Sequence, residues 1–187
     1  LADLHDELSG LLRGEAPTVE QLGQLPLLDA VVKESMRLVP PTYMMFLRRA
    51  RGPFELGPYA LPEGAMVVLS PLINHHMAEI WPEPERFAPA RWSGRTATPC
   101  DFVPFGVGPR MCLGTAFAEQ EIRVVLALIV QRFALVPRAG CRVDVAARGI
   151  TLGPRRGVPV AVSRQARRFG APAPVAGSIR ELVELPS

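Results

Sequence analysis

The sequence predicts a mainly α fold with small β-sheets, an α+β domain. The run from Thr115 to Phe133 contains neither Gly nor Pro and is rich in Ala, Leu, Val and Glu, the composition of a stable helix. Leu1, Leu4, Leu8, Leu11 and Leu12 recur at the spacing of one helical face. From Tyr43 to Leu69, and again from Val143 to Val162, short apolar runs are broken by Gly and Pro, which predicts short strands and tight turns. With 187 residues, 48% of them hydrophobic, the chain can build one domain around a core and is too apolar for disorder.

The elements follow in order. After the leucine-rich first helix, Gly14 to Pro17 is a break. Thr18 to Pro41 then reads as a short helix and a longer one. Pro26 suits a first helical turn, and Pro40-Pro41 ends the second helix. Leu28, Val31, Val32, Ser35 and Leu38 form its face. Strand-like pieces "MMFLRRA", "FELGPYAL" and "AMVVLS" come next, separated by Gly52-Pro53 and Pro62-Glu63-Gly64. Ser70-Pro71 can cap and start a helix through Met77. "WPEPERFAPARW" is proline-rich and predicts an irregular segment with one short turn. Ser93 to Pro104 reads as a meandering loop. After Arg164 the composition shifts: "GAPAPVAG" has linker character, and "SIRELVEL" one or two helical turns. Residues 1–163 are therefore read as the domain, and 164–187 as a Pro/Ala-rich linker and tail.

Composition excludes several classes. The formal charge is +3 and its arginines are spread along the chain, with Lys33 the single lysine, so no nucleic-acid stripe is formed. The 3 cysteines, Cys100, Cys112 and Cys141, are far apart and odd in number. That argues against a disulfide framework and for a reducing, cytoplasmic compartment. His5, His75 and His76 have no zinc-ligand spacing to them, and the two adjacent histidines are read as helix-surface residues. No apolar run approaches the roughly 20 residues of a spanning helix. The first helix opens at full pattern without a cap, which predicts a chain cut from something longer.

The most informative stretch is "FGVGPRMCLG", Phe105 to Gly114. Cys112 stands just before the strongest helix, where its sulfur would face the unpaired amides of the first turn and the positive end of the helix dipole. The thiolate is the form of cysteine that binds metals or attacks. Gly106, Gly108 and Gly114 allow left-handed backbone or close approach to a flat partner. Arg110 adds a fixed charge. A buried free cysteine in an ordinary turn, and a nucleophilic or redox cysteine, are the alternatives that these residues leave open, although no histidine lies nearby in sequence to activate it.

This loop resembles the haem-binding loop of the cytochrome P-450 family of haem-thiolate monooxygenases. The resemblance implies that Cys112 is the axial ligand of haem iron, the thiolate case in which the ligand pushes electron density toward O–O cleavage. It implies further that Arg110 pairs with a haem propionate, that Phe105 packs beside the sulfur, and that Gly106 and Gly114 let the chain pass close to the ring. In "KESMR", Glu34 and Arg37 stand at i, i+3 on one helix face. By resemblance they are the E-x-x-R pair, a buried network that needs a further partner. Pro84-Glu85-Arg86-Phe87 and Phe87-Ala88-Pro89-Ala90-Arg91-Trp92 both offer one. The second matches the fuller family pattern, with Ala90 where Glu is usual, so Arg91 is assigned to the triad and Arg86 is the more exposed neighbour. In "PPTYMMFLRRA", Arg48 takes a propionate role, and Thr42, Tyr43, Met44 and Met45 border the substrate pocket, with core filling as the alternative for the methionines. Ile150-Thr151 reaches the same pocket from a hairpin tip.

The resemblance covers residues 1–163, the C-terminal, proximal-side part of the family fold. The distal oxygen-handling helix and the propionate-gripping Trp-Arg helix have no counterpart in these residues. The implied cofactor is haem b, the implied partners a ferredoxin or flavoprotein reductase carrying NAD(P)H electrons and an apolar small molecule. The implied reaction inserts one atom of O2 into that molecule. A peroxide-dependent or isomerising relative is the alternative, as is a truncated, non-catalytic chain. The 187 residues alone are expected to be inactive.

Overall fold

A computed structural model describes residues 1–95, 97–170 and 173–185. Helix α1 (Ala2–Leu12), helix α2 (Val19–Leu22), helix α3 (Pro26–Leu38) and helix α5 (Thr115–Arg132) build the body, with the short helix α4 (Pro71–His75) between them in sequence. The core joins Leu4, Leu8 and Leu12 of α1 to Leu22, Leu25, Leu28, Val32 and Met36, and to Ala127 and Val130 of α5. Each such leucine contributes about 1.5–3 kcal/mol when fully buried. Leu1, expected on the same face, is exposed.

The starts of α2 and α3 are closed by side chains, while α1 and α5 have no side-chain cap. Thr18 and Gln21 form a reciprocal capping box on α2. Pro26 at the start of α3 has no N–H to satisfy. The next two amides, Leu27 and Leu28, donate to the Glu7 carboxylate at 2.8 and 2.9 Å. An acid on α1 thus caps α3 and fixes the angle between the two helices.

Among the described residues the β structure is four two-stranded antiparallel pairs. These are β1 (Arg48–Arg49) with β4 (Met66–Val67), β2 (Phe54–Leu56) with β3 (Tyr59–Leu61), β5 (Phe133–Pro137) with β8 (Val160–Arg164), and β6 (Val145–Arg148) with β7 (Thr151–Pro154). Strand β5 has no counterpart in the sequence reading, because it follows α5 directly and its apolar run continues the helical one. "MMFLRRA" is a strand at Arg48–Arg49 alone. No helix among the described residues is long and apolar enough to cross a membrane.

The segment read as linker and tail is not set apart from the body where it is described; Ala171, Pro172, Pro186 and Ser187 lie outside the described residues, as does Thr96 in the 93–104 loop. Val143 N–H donates to Ala176 O (2.8 Å), and Ala176 N–H to Cys141 O (2.9 Å). Ser178 Oγ accepts from Val145 N–H (3.0 Å). At the far end, Glu184 N–H donates to Glu85 O (2.8 Å) and Val183 is buried. Gly177 makes this docking possible. Its φ is +106°, and a Cβ there would stand 2.3 Å from Val143 O. Replacing Gly177 by Ala combines backbone strain with that clash. The expected outcome is a loss on the order of 2 kcal/mol in urea denaturation, with faster trypsin cleavage at Arg180.

Candidate functional site

The site is built from beneath. Glu34 and Arg37 project from α3 and are both 0% exposed. Arg37 grips the carboxylate in bidentate fashion, Nε to Oε2 and Nη2 to Oε1, each at 3.0 Å. Three further donors converge on it: Arg91 Nε, Trp92 Nε1 and Ala88 N–H, each at 2.9 Å. Burial alone would raise the Glu34 carboxyl; the bonds from Arg37, Ala88 and Arg91 overcome it and hold the group below its usual range.

The arginines also tie down backbone. Arg37 donates to His75 O (2.8 Å) and Arg86 O (3.3 Å). Arg91 donates to the carbonyls of Pro82 (3.0 Å), Glu83 (3.3 Å) and Arg86 (3.3 Å). Arg86 itself points outward and pairs with Glu83, a bond between exposed groups. Of the two candidate arginines, Arg91 is the one that reaches Glu34. Apart from one 3-10 turn at Pro89–Trp92, the proline-rich segment is therefore held in place by hydrogen bonds to one charged cluster.

His75 is buried, not a helix-surface residue. Its ring packs 5.3 Å from that of Phe102 and 6.5 Å from that of Trp81, centroid to centroid. Its Nε2 bonds the Val103 N–H at 2.9 Å. Burial pushes the imidazole down to about 4, so it is neutral at pH 7. His76 stays half-buried and bonds the Leu72 and Leu182 carbonyls.

From Val103 the chain enters the cysteine loop. Gly106 and Gly108 take φ of +79° and +73°, a region that L side chains rarely adopt. Met45 packs on the loop: a Cβ on Gly106 would sit 3.7 Å from its Sδ and Cε. Gly108–Arg110 is a single 3-10 turn, and Arg110 is exposed. Cys112 N–H donates to Phe105 O (2.9 Å), closing the loop, and Thr115 Oγ1 donates to Cys112 O (2.8 Å). Phe105 is half-buried against the helical core. The result places Cys112 exposed at the head of α5, with Gly114 in ordinary contact with its sulfur, 3.8 Å from an added Cβ.

Leu113 is fully exposed, Phe117 is 71% exposed, and Met111 and Val107 are open as well. Four apolar side chains flanking one exposed thiol, in sequence and without cover, mark a surface for an apolar ligand. A flat apolar group bearing a metal fits these residues: the thiol supplies the ligand atom, the glycines leave room, and Arg110 supplies a cation.

The remaining predicted residues fall into two groups. Thr42 bridges to Thr151, Leu152 N–H donates to Pro41 O (2.7 Å), and Tyr43 Oη donates to Gly149 O (3.2 Å). Thr42 and Ile150 are thereby brought to one place, with Met44 beside them in the chain and half-buried. Arg48 lies in β1, exposed and paired to Val67. Two residues that matter were not assigned to the site by the sequence, Trp92 being passed over and His75 read as surface. Trp92 follows Arg91 in the same motif, which is a signal of sorts; His75 carries none, since its partner Val103 is distant in sequence.

The geometry defines a thiol-presenting loop braced by a buried charge cluster, and comparison with known proteins identifies it. Residues 1–158 match the family model described as cytochrome P450. Cyclooctat-9-en-7-ol 5-monooxygenase of Streptomyces melanosporofaciens is 37% identical over 140 residues, 73% of this chain and 30% of that protein. Cytochrome P450 4F5 of Rattus norvegicus is 36% identical over 137 residues, 70% of this chain and 26% of that one. A zebrafish cytochrome P450 structure with abiraterone superimposes with TM-score 0.74 at 31% identity, covering 87% of this chain and 40% of the other. The chain belongs to the cytochrome P450 family, which implies a haem cofactor. It spans about a third or less of the length of these curated relatives.

Arg91→Ala strips a buried carboxylate of one partner and the Pro82 and Glu83 carbonyls of their donor, leaving Arg86 O to Arg37 alone, and is expected to cost on the order of 3 kcal/mol. Arg86→Ala removes an exposed pair and should stay within about 0.5 kcal/mol. Urea denaturation at pH 7 separates the two.

Proposed function

We propose that this chain forms the thiolate-bearing wall of a haem-thiolate monooxygenase. The observation that carries the reading is Cys112, exposed at the head of α5 on a loop braced from within and flanked by uncovered Leu113 and Phe117. Cys112 Sγ would ligate the iron of haem b. Arg110 and Arg48 would pair with its propionates, Phe105 would pack beside the sulfur, and Gly106 and Gly114 would admit the ring. Haem, when bound, supplies the oxygen chemistry, inserting one atom of O2 into an organic substrate.

The protein's own part is to hold and tune. Cys112 stands just before α5, where the first-turn amides and the helix dipole would temper the donor strength of its sulfur. With haem seated, Met111, Leu113 and Phe117 would help to keep water from it. Thr42, Met44 and Ile150 border the substrate side, and their surroundings favour an apolar small molecule. The relatives are consistent with that: the names cyclooctat-9-en-7-ol 5-monooxygenase and leukotriene-B4 omega-hydroxylase 3 both specify lipophilic substrates. Electrons would come from NAD(P)H through a ferredoxin or flavoprotein reductase docking near the exposed Arg110. The cysteine usage supports a reducing compartment, and with it a cytoplasmic setting. The exposed apolar flank around Cys112 supports the reading that the 187 residues alone would hold haem weakly and be inactive.

The reduced, carbon-monoxide-treated enzyme should show a strongly red-shifted Soret band that Cys112→Ser abolishes. The isolated 187-residue chain should not show it at full haem occupancy. Persistence of the band in the serine variant would exclude Cys112 as the ligand.

A further inference from the structure

We propose that His75 is a positioning residue that ties the cysteine loop to the Glu34–Arg37 cluster. The proposal rests on Cys112 being the haem ligand, but its structural half stands apart from that.

His75 has two ends, and each holds a different part of the site. Its carbonyl accepts from Arg37 Nη1 at 2.8 Å, so the backbone of α4 is registered to the charge cluster. Its ring Nε2 accepts from Val103 N–H at 2.9 Å. Val103 is the base of the loop: its own carbonyl accepts from Gly106 N–H (3.1 Å), and Phe105 O accepts from Cys112 N–H (2.9 Å). A continuous path thus runs from Arg37 through His75 and Val103 to the backbone of Cys112. Met45, against Gly106, is a second brace, but an apolar one without directional bonds.

The chemistry of the ring argues for a role beyond filling space. With Nε2 as acceptor, the neutral imidazole carries its proton on Nδ1, and that buried nitrogen makes no well-formed hydrogen bond among the described residues; only the Met36 and Arg37 backbone lies near enough to act on the ring. A buried donor short of a full bond is costly. Phenylalanine would pack against Phe102 and Trp81 without that cost, but it would leave the Val103 amide unbonded. A histidine here is worth its poorly satisfied nitrogen if the bond to Val103 is what matters.

The test is hydrogen exchange in the full haem-loaded enzyme, read at the Gly106 and Cys112 amides, beside the carbon monoxide spectrum. His75→Phe is expected to speed exchange at both amides by about tenfold and to move part of the red-shifted band to shorter wavelength. His75→Gln, whose Oε1 can reach Val103, should restore both. Gly177→Ala, which strains the tail where it meets Val143 and touches no residue of the loop, lowers global stability and should change neither. If His75→Phe does not fold, the comparison is Gln against Asn, which is too short to reach Val103. Wild-type exchange and spectrum in the Phe variant, or equal behaviour of Gln and Asn, would reduce His75 to core packing and overturn the proposal. Loss of the exchange effect with a normal Cys112→Ser result separates failure of this inference from failure of the ligand assignment.

Discussion

Everything in the site leans on one buried carboxylate. Glu34 has no contact with solvent, and taking a charge out of water costs several kcal/mol unless its lone pairs are filled. Here they are filled by two guanidinium groups, an indole and a backbone amide. The same arginines spend their remaining donors on the carbonyls of His75, Pro82, Glu83 and Arg86. A segment with three prolines in twelve residues cannot organise itself through regular hydrogen bonding. It is organised instead by these charged donors, and its shape is a consequence of where Glu34 sits.

Helix packing decides where Glu34 sits. Leu28, Val32 and Met36 of α3 face the core shared with α1 and α5, while Glu34 and Arg37 leave the helix on another side. Helix α5, which shares that core, begins with the cysteine loop. The two ends of the site, charge cluster and thiol, are therefore mounted on helices locked to each other through leucines. Capping of α3 by Glu7 and the ion pair between Arg123 and Asp29 strengthen the lock.

Much of this was legible in the sequence. The α5 helix spoke through its unbroken apolar and Ala-rich run, and the E-x-x-R pair and cysteine loop through spacing that a local motif preserves. Arg91 over Arg86 was decided by the surrounding aromatic and proline pattern. What stayed hidden depends on contacts between residues far apart in the chain. His75 looks like an ordinary polar residue until Val103 and Arg37 are seen on either side of it. Strand β5 hides behind the helix that precedes it. The docking of the tail turns on Gly177, whose need for a left-handed backbone and close approach to Val143 is invisible until the two segments meet.

Since the carboxylate of Glu34 anchors the rest, its ionisation is the most direct thing to measure. Its folded value is depressed, so the stability it contributes is full above its ordinary value of 4.5 and is lost as pH falls through the folded one. Carbon-13 NMR of the Glu34 carboxyl, followed from neutral to acid pH, reads this without a substitution. The account predicts that the resonance still reports an ionised carboxylate at pH 4.5, where an unperturbed glutamate is half protonated. A midpoint at or above 4.5 would mean that burial outweighs the converging donors, and would contradict the account.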